Sequence, residues 1–327
     1  MGLLGWLGWK ERQPEWGVTP TTPPRFDSFD AEAEAYLDKE GYVVLRGLSA
    51  EEVGEARALL WDYWEALDDR ISRTDASTWG RMDAFMHKDT GIVNSYGIGQ
   101  SQLLWYVRGK DTVRQAFEGI WDTKELITSF DGGGMFRPWS VNPAWKTSGG
   151  WFHADQSLKR KGRVCVQGLV SLYDQTAATG GLTVVPGSQA QHQDFCRATL
   201  TGLSLNYIKN DFVPIPARVW VKHGFQPKLV CCSAGDLVLW DSRTVHCNSP
   251  ALEPDAQQQA VPDFIRAVAY VCMTPRAWAT EAALAKRREY VRTNQTSTHW
   301  PHEPYAPYNW PAKWDPPQLT EAQQRLV

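Results

Sequence analysis

Between residues 140 and 275 the chain is built from short apolar runs separated by Gly, Pro and Asp. The runs are RVCVQGLVSLY, GLTVVPG, RVWVKHG, GDLVLWD and FIRAVAYVCM. Runs this short, with a turn signal after each, predict an all-β sandwich or barrel. The remainder decorates that core. Residues 1–29 form an extended lead-in, 30–139 an N-terminal part of helix and strand, and 276–327 a helix followed by an aromatic, Pro-rich tail. No linker composition divides the 327 residues, so a single domain spanning 1–327 is expected.

Local signals sharpen this outline. Ala33, Tyr36 and Leu37 recur at helical spacing and Gly41 ends the helix. YVVLRG then predicts a strand at 42–45. Ser49 and Glu52 form a capping-box pair ahead of Val53, Ala56, Leu60, Tyr63 and Leu67, which share one helical face. A further helix is predicted at 111–121, and a long one from 275 to 295. SFDGGG lacks the Lys and Ser/Thr of a phosphate loop, so its three glycines predict a flexible turn.

Composition removes several classes of function. A formal charge of −3 provides no basic field for nucleic acid. No apolar run is long enough to span a bilayer. The start, MGLLGWLGWK, lacks a basic leading region, and Trp6 stands where a myristoylation motif needs Ser or Thr. An apolar tail that docks on the domain or a partner is the expectation there. Cys165, Cys196, Cys231, Cys232, Cys247 and Cys272 form no C-x-x-C pair, which predicts reduced thiols and a cytoplasmic protein.

Chemistry concentrates in WFHADQ. On an extended strand His153 and Asp155 project to the same face. A second histidine, His246, follows the apolar run GDLVLW and could be delivered to the same point from another strand. Two His and one carboxylate are the facial set of non-heme Fe(II) oxygenases, which leaves coordination positions open. His192, His223, His299 and His302 are the other candidates for the third ligand. His223 competes most strongly, at the end of a predicted strand, whereas His192 falls in what looks like a surface loop. Arg266 lies in an otherwise apolar strand. Buried, it would suit a carboxylate through its planar fork; otherwise it faces solvent.

WFHADQ, GGLTVVPGS, GDLVLWDSRTVHCNS and the strand with Arg266 together resemble the phytanoyl-CoA dioxygenase family of Fe(II)/2-oxoglutarate enzymes, over roughly residues 30–275. The resemblance implies a double-stranded β-helix, or jelly roll, with helices at both ends of the chain. It implies Fe(II) on His153, Asp155 and His246, with 2-oxoglutarate and O2 as co-substrates. It places the distal carboxylate of 2-oxoglutarate on Arg266, with Asn248 and Ser171 assisting. Two departures are visible: PGSQ replaces the usual PGSH, and SPALEPDAQQQAVPD lengthens the connection to Arg266. Related halogenases replace the carboxylate by a small residue, so Asp155 argues against halogenation.

The substrate is expected to be a small molecule. Arg137 is a candidate anchor for it. KRKGR at 159–163 reads either as a solvated turn or as a steering patch, with the turn preferred. Trp139, Trp145 and Trp151 read either as pocket wall or as core. A non-catalytic metal- or ligand-binding β-sandwich is the alternative function. Nothing in the sequence fixes the oligomeric state.

Overall fold

The computed structural model describes residues 17–200, 211–253, 263–307, 310, 312 and 314–327. The apolar start and residues 254–262 of the lengthened connection lie outside the described residues. Two sheets face one another. One has six strands in the order Thr19–Thr21, Lys228–Val230, Gly181–Val184, His246–Ser249, His153–Ala154 and Val213–Pro214. The other runs Arg25–Phe26, Tyr42–Arg46, Asp236–Asp241, Val166–Ser171, Arg266–Pro275, Gly133–Phe136 and Ile92–Val93, with Leu126–Thr128 also paired to the Arg266–Pro275 strand. Both sheets are mixed, because Thr19–Thr21 and Arg25–Phe26 pair in parallel while the rest pair antiparallel. This is the expected jelly roll with helical decoration.

Strand alternation sorts the larger sheet into two faces. Ala267, Ala269, Val271 and Met273 point away from the smaller sheet, into the same core as Leu237, Leu239, Val166 and Val170. Helices Ala50–Leu67, Gln102–Arg108 and Asp111–Trp121 cover that face with Leu60, Trp64, Leu104 and Phe117. The opposite face carries Leu169, Val238, Trp240 and Val268, which fill the interior between the sheets. The polar residues Gln167, Ser171 and Arg266 share this interior face by the two-residue period. On this face of the sheet the polar side chains gather where the site lies.

The helix starts follow their caps. Asp30 caps Ala31–Glu40 through two backbone N–H groups, and Gly41 ends that helix in the left-handed region at φ 81°. Ser49 and Glu52 form the reciprocal box that opens Ala50–Leu67.

Several expectations fail for identifiable reasons. RVWVKHG forms the helix Ala217–Val221, not a strand, and leaves His223 exposed on the turn after it. Val219 and Trp220 bury together with Phe152 and Phe195, so packing overrides the β-branched composition. The long C-terminal helix is shorter, at Glu281–Arg292, because Thr280 caps it and Arg276–Trp278 takes a separate 3-10 turn. The glycines of SFDGGG are not a flexible turn. Gly133 and Gly134 begin the strand Gly133–Phe136, and a Cβ on Gly132 would lie 1.8 Å from the Val93 carbonyl oxygen. Close backbone approach, not flexibility, requires glycine here.

Candidate metal centre

His153 and His246 sit directly opposite one another, because the Trp151–Ala154 segment and the His246–Ser249 strand pair in the register His246↔His153. Their ring centroids are 4.3 Å apart. Asp155 lies just past the strand, held by its backbone N–H to the Ser242 carbonyl at 2.8 Å. Its Oδ2 is 3.5 Å from His153 Nε2 and 3.3 Å from His246 Nε2. One ligand atom from each of the three residues falls within 4.8 Å of the others, and all three residues are buried.

The remaining ring nitrogens are already occupied. His153 Nδ1 meets the Trp151 carbonyl at 3.1 Å, and His246 Nδ1 meets the Thr244 carbonyl at 2.9 Å. A carbonyl only accepts, so each Nδ1 must carry the hydrogen. Each Nε2 is thereby left with its lone pair toward the centre, the tautomer a metal ligand needs. Gln167 Nε2 donates to Asp155 Oδ2 at 2.9 Å and fixes the carboxylate. Burial pushes the Asp155 carboxyl up, but His153, His299 and His246 outweigh it and hold it well below the usual carboxylate range. Burial, reinforced by His153, pushes His246 below the ordinary histidine value. Both residues are therefore in the protonation state that binds a cation. Two imidazole nitrogens and one carboxylate oxygen on a single side are the donor set for Fe(II), and these residues fit that ion.

A second polar feature lies deeper in the same interior. Arg266 is fully buried, at 0% exposure. Its Nε donates to Gln175 Oε1 at 2.8 Å, and Gln175 Nε2 donates to Ser171 Oγ at 3.0 Å. Ser171 in turn donates to the Tyr173 carbonyl at 2.6 Å. Arg266 Nη1 and Nη2 meet no carboxylate among the described residues, and the Tyr270 hydroxyl interacts with the guanidinium. The guanidinium lies over the Phe136 ring, 4.8 Å from its centroid, and burial lowers its pKa. Two glycines open this space. A Cβ on Gly134 would lie 3.2 Å from Arg266 Nη1, and one on Gly181 would lie 2.3 Å from Gln175 Oε1. A buried guanidinium with no carboxylate partner is costly until an anion meets it. The terminal carboxylate of a 2-oxo diacid has the shape to do so.

Asn248 lies two residues beyond His246 on the same strand, buried, and so shares its face. Ser171 reaches Arg266 through Gln175. Arg137 has other partners: it is 2% exposed, paired with Asp83, bonded to the Trp79 carbonyl at 2.8 Å and stacked on Trp145. Trp145 joins the main core, whereas Trp151 stacks on His153 at 5.1 Å.

His192 is not on a surface loop. It is buried at the start of the His192–Leu200 helix, with Nε2 2.6 Å from the Gln156 carbonyl. His302 meets Thr274 Oγ1 at 3.1 Å. In the 159–163 run, Lys159 and Lys161 are exposed, but Arg160 and Arg163 form ion pairs within the fold. Sequence reasoning missed Gln167, Gln175 and Phe212. Gln167 had a signal, as a polar residue two positions from Leu169 and four from Ser171 on one strand face. Gln175 and Phe212 had none.

Comparison with known proteins gives a family for the chain. The family model described as phytanoyl-CoA dioxygenase (PhyH) matches residues 37–251, a span that contains all three residues of the cluster and ends before Arg266. The Ava biosynthesis cluster protein O of Aspergillus versicolor is 30% identical over 213 residues, covering 63% of this chain and 65% of that protein. The chain thus spans under two thirds of that relative's length. Among solved structures, the chain is similar to EctD from S. alaskensis with bound Fe, at 17% identity and TM-score 0.47, over 81% of this chain and 85% of that one. It is also similar to the non-heme alpha ketoglutarate dependent carbocyclase SnoK from nogalamycin biosynthesis, at 17% identity and TM-score 0.41, over 78% and 86%. With its family model spanning the strands that carry His153, Asp155 and His246, the chain belongs to the phytanoyl-CoA dioxygenase family.

Proposed function

We propose that the protein is an Fe(II)- and 2-oxoglutarate-dependent dioxygenase that oxidises a C–H bond of a small molecule, releasing succinate and CO2. One observation carries the reading. A buried His153–Asp155–His246 cluster with both Nδ1 atoms tied to carbonyls shares an interior with Arg266, a fully buried guanidinium with no carboxylate partner among the described residues.

His153, Asp155 and His246 would hold the metal, which when bound supplies O2 activation. The chain's own contribution is positional. The two carbonyl contacts and Gln167 fix the ligand atoms. Arg266 would take the distal carboxylate of 2-oxoglutarate, aimed by Gln175 and Ser171, with Asn248 beside it. The apolar interior of Leu169, Val184, Val238 and Val268 keeps water from the reacting carbon.

We read the whole chain as one domain, with the jelly roll at 140–275 as its chemical part. No helix among the described residues is long and apolar enough to cross a membrane; we assign the protein to the cytoplasm on its cysteines, all six of which are free of disulfides. The test is incubation with Fe(II), ascorbate and 2-oxoglutarate. Succinate release that depends on Fe(II) supports the reading. Metal binding with no response to 2-oxoglutarate supports a non-catalytic binding protein.

A further inference from the structure

Arg160 joins three parts of the chain that are distant in sequence. It follows the metal strand, in a loop anchored by Gln156, whose Nε2 donates to the Gly162 carbonyl at 2.9 Å and whose Oε1 accepts from Ser242. Arg160 Nε and Nη2 donate to the two carboxylate oxygens of Asp211 at 3.0 and 2.9 Å. Its Nη1 and Nη2 donate to the two oxygens of Glu303 at 2.9 and 2.7 Å. Its guanidinium also lies 3.8 Å from the centroid of Trp300. Single exposed ion pairs contribute little, but a forked arginine shared by two carboxylates and an aromatic face is the geometry that does hold elements together.

The neighbour of one of these partners touches the metal centre. Phe212, next to Asp211, stacks on His153 with centroids 4.4 Å apart and an interplanar angle of 28°. It is 43% exposed, and the strand after it is only Val213–Pro214. Burial gives Phe212 little reason to stay against His153; its backbone is placed by the pairing of Val213–Pro214 with His153–Ala154 and by Asp211, which accepts from the Ser157 N–H as well as from Arg160.

We propose that Arg160 is a positioning residue of the metal centre: it clasps Asp211 and the Trp300–Glu303 tail to the loop behind the metal strand, and so keeps Phe212 seated on His153. The inference rests on the proposed role of His153 as a metal ligand. Contacts that orient a ligating imidazole typically change metal affinity about ten- to a hundred-fold, and a ring contact belongs at the lower end.

The test is the rate at which a chromogenic chelator extracts Fe(II) from anaerobically loaded protein. Arg160→Ala and Phe212→Leu should each speed release about tenfold. The double variant should be no faster than the faster single one, because both act through one ring contact. Arg160→Lys should restore part of the retention, since a point charge can hold one carboxylate. Release at the wild-type rate in Arg160→Ala, or multiplied effects in the double variant, would overturn the clasp. If Arg160→Ala does not fold, Asp211→Asn paired with Phe212→Leu carries the same cycle. Wild-type protein that retains no Fe(II) would sink the metal reading, whereas retention with no response to the variants sinks only the clasp.

Discussion

Arg266 and Gln175 are bonded to each other, yet their removal should produce opposite signatures. Arg266 is fully buried, with Nε paired to Gln175, the Tyr270 hydroxyl interacting with the guanidinium and no carboxylate partner among the described residues. Replacing a poorly compensated buried charge by a packed apolar side chain is often neutral or stabilising by about 1–4 kcal/mol. Arg266→Met should therefore leave the ligand-free Tm unchanged or raise it. The co-substrate would lose a desolvated charged partner, a cost of about 2–5 kcal/mol. That corresponds to roughly a thirty-fold to several-thousand-fold weaker 2-oxoglutarate affinity. Gln175→Leu strands Arg266 Nε in free and loaded protein alike, at about 1.5–3 kcal/mol. Its Tm should fall, while affinity falls by less than about tenfold, through misaim alone. Arg266→Lys should regain only part of the loss, because an ammonium cannot supply two parallel bonds. Anaerobic calorimetric titration of 2-oxoglutarate into Fe(II)-loaded protein, beside thermal melts, reads both quantities. An unchanged affinity in Arg266→Met would refute the assignment.

Other outcomes follow from the same geometry. Gly134→Ala places a Cβ 2.9 Å from the Tyr270 hydroxyl and 3.2 Å from Arg266 Nη1; crowding of about 1–3 kcal/mol should weaken 2-oxoglutarate roughly five- to 150-fold without changing Fe(II) retention. Gln167→Leu removes the one amide donor on Asp155 Oδ2 and should lower Fe(II) affinity about tenfold in a competition titration, and equal affinity would remove Gln167 from the site. Burial raises the Asp211 carboxyl, but Arg160 outweighs it, so the folded pKa lies below the usual value. Its stabilising contribution is thus complete above about pH 4 and lost as pH falls through the lower folded value. The Tm difference between wild type and Asp211→Asn should be constant from about pH 7 to about pH 5 and shrink below that; a difference that shrinks already near pH 6 would contradict the sign.

The parts legible in the sequence were those set by local rules. The Asp30 and Ser49 caps, the Gly41 stop and the alternation in Val166–Ser171 and Arg266–Pro275 are encoded within a few residues of where they act. His153 and Asp155 were visible for the same reason, as neighbours two apart on an extended segment. Whether His246 or His223 joined them depended on tertiary packing. The Ala217–Val221 segment has strand composition but buries Trp220 against Phe152, and only that packing removes His223 from contention. Gln175, Arg160 and Phe212 act through partners 91, 143 and 59 residues away, distances over which no periodicity carries information. The SFDGGG glycines were misread because a close backbone approach and a flexible turn demand the same residue.

The account's central claim is that His153, Asp155 and His246 hold Fe(II) with room beside it for a chelating 2-oxo acid whose far carboxylate reaches Arg266. Anaerobic addition of 2-oxoglutarate to the Fe(II) protein, followed by the metal-to-ligand charge-transfer absorbance, tests it most directly. The wild type should develop the band and saturate, Arg266→Met should develop it only at much higher 2-oxoglutarate, and His153→Ala, Asp155→Ala and His246→Ala should give none. A full band in His246→Ala, or none in the wild type with iron demonstrably bound, would contradict the account.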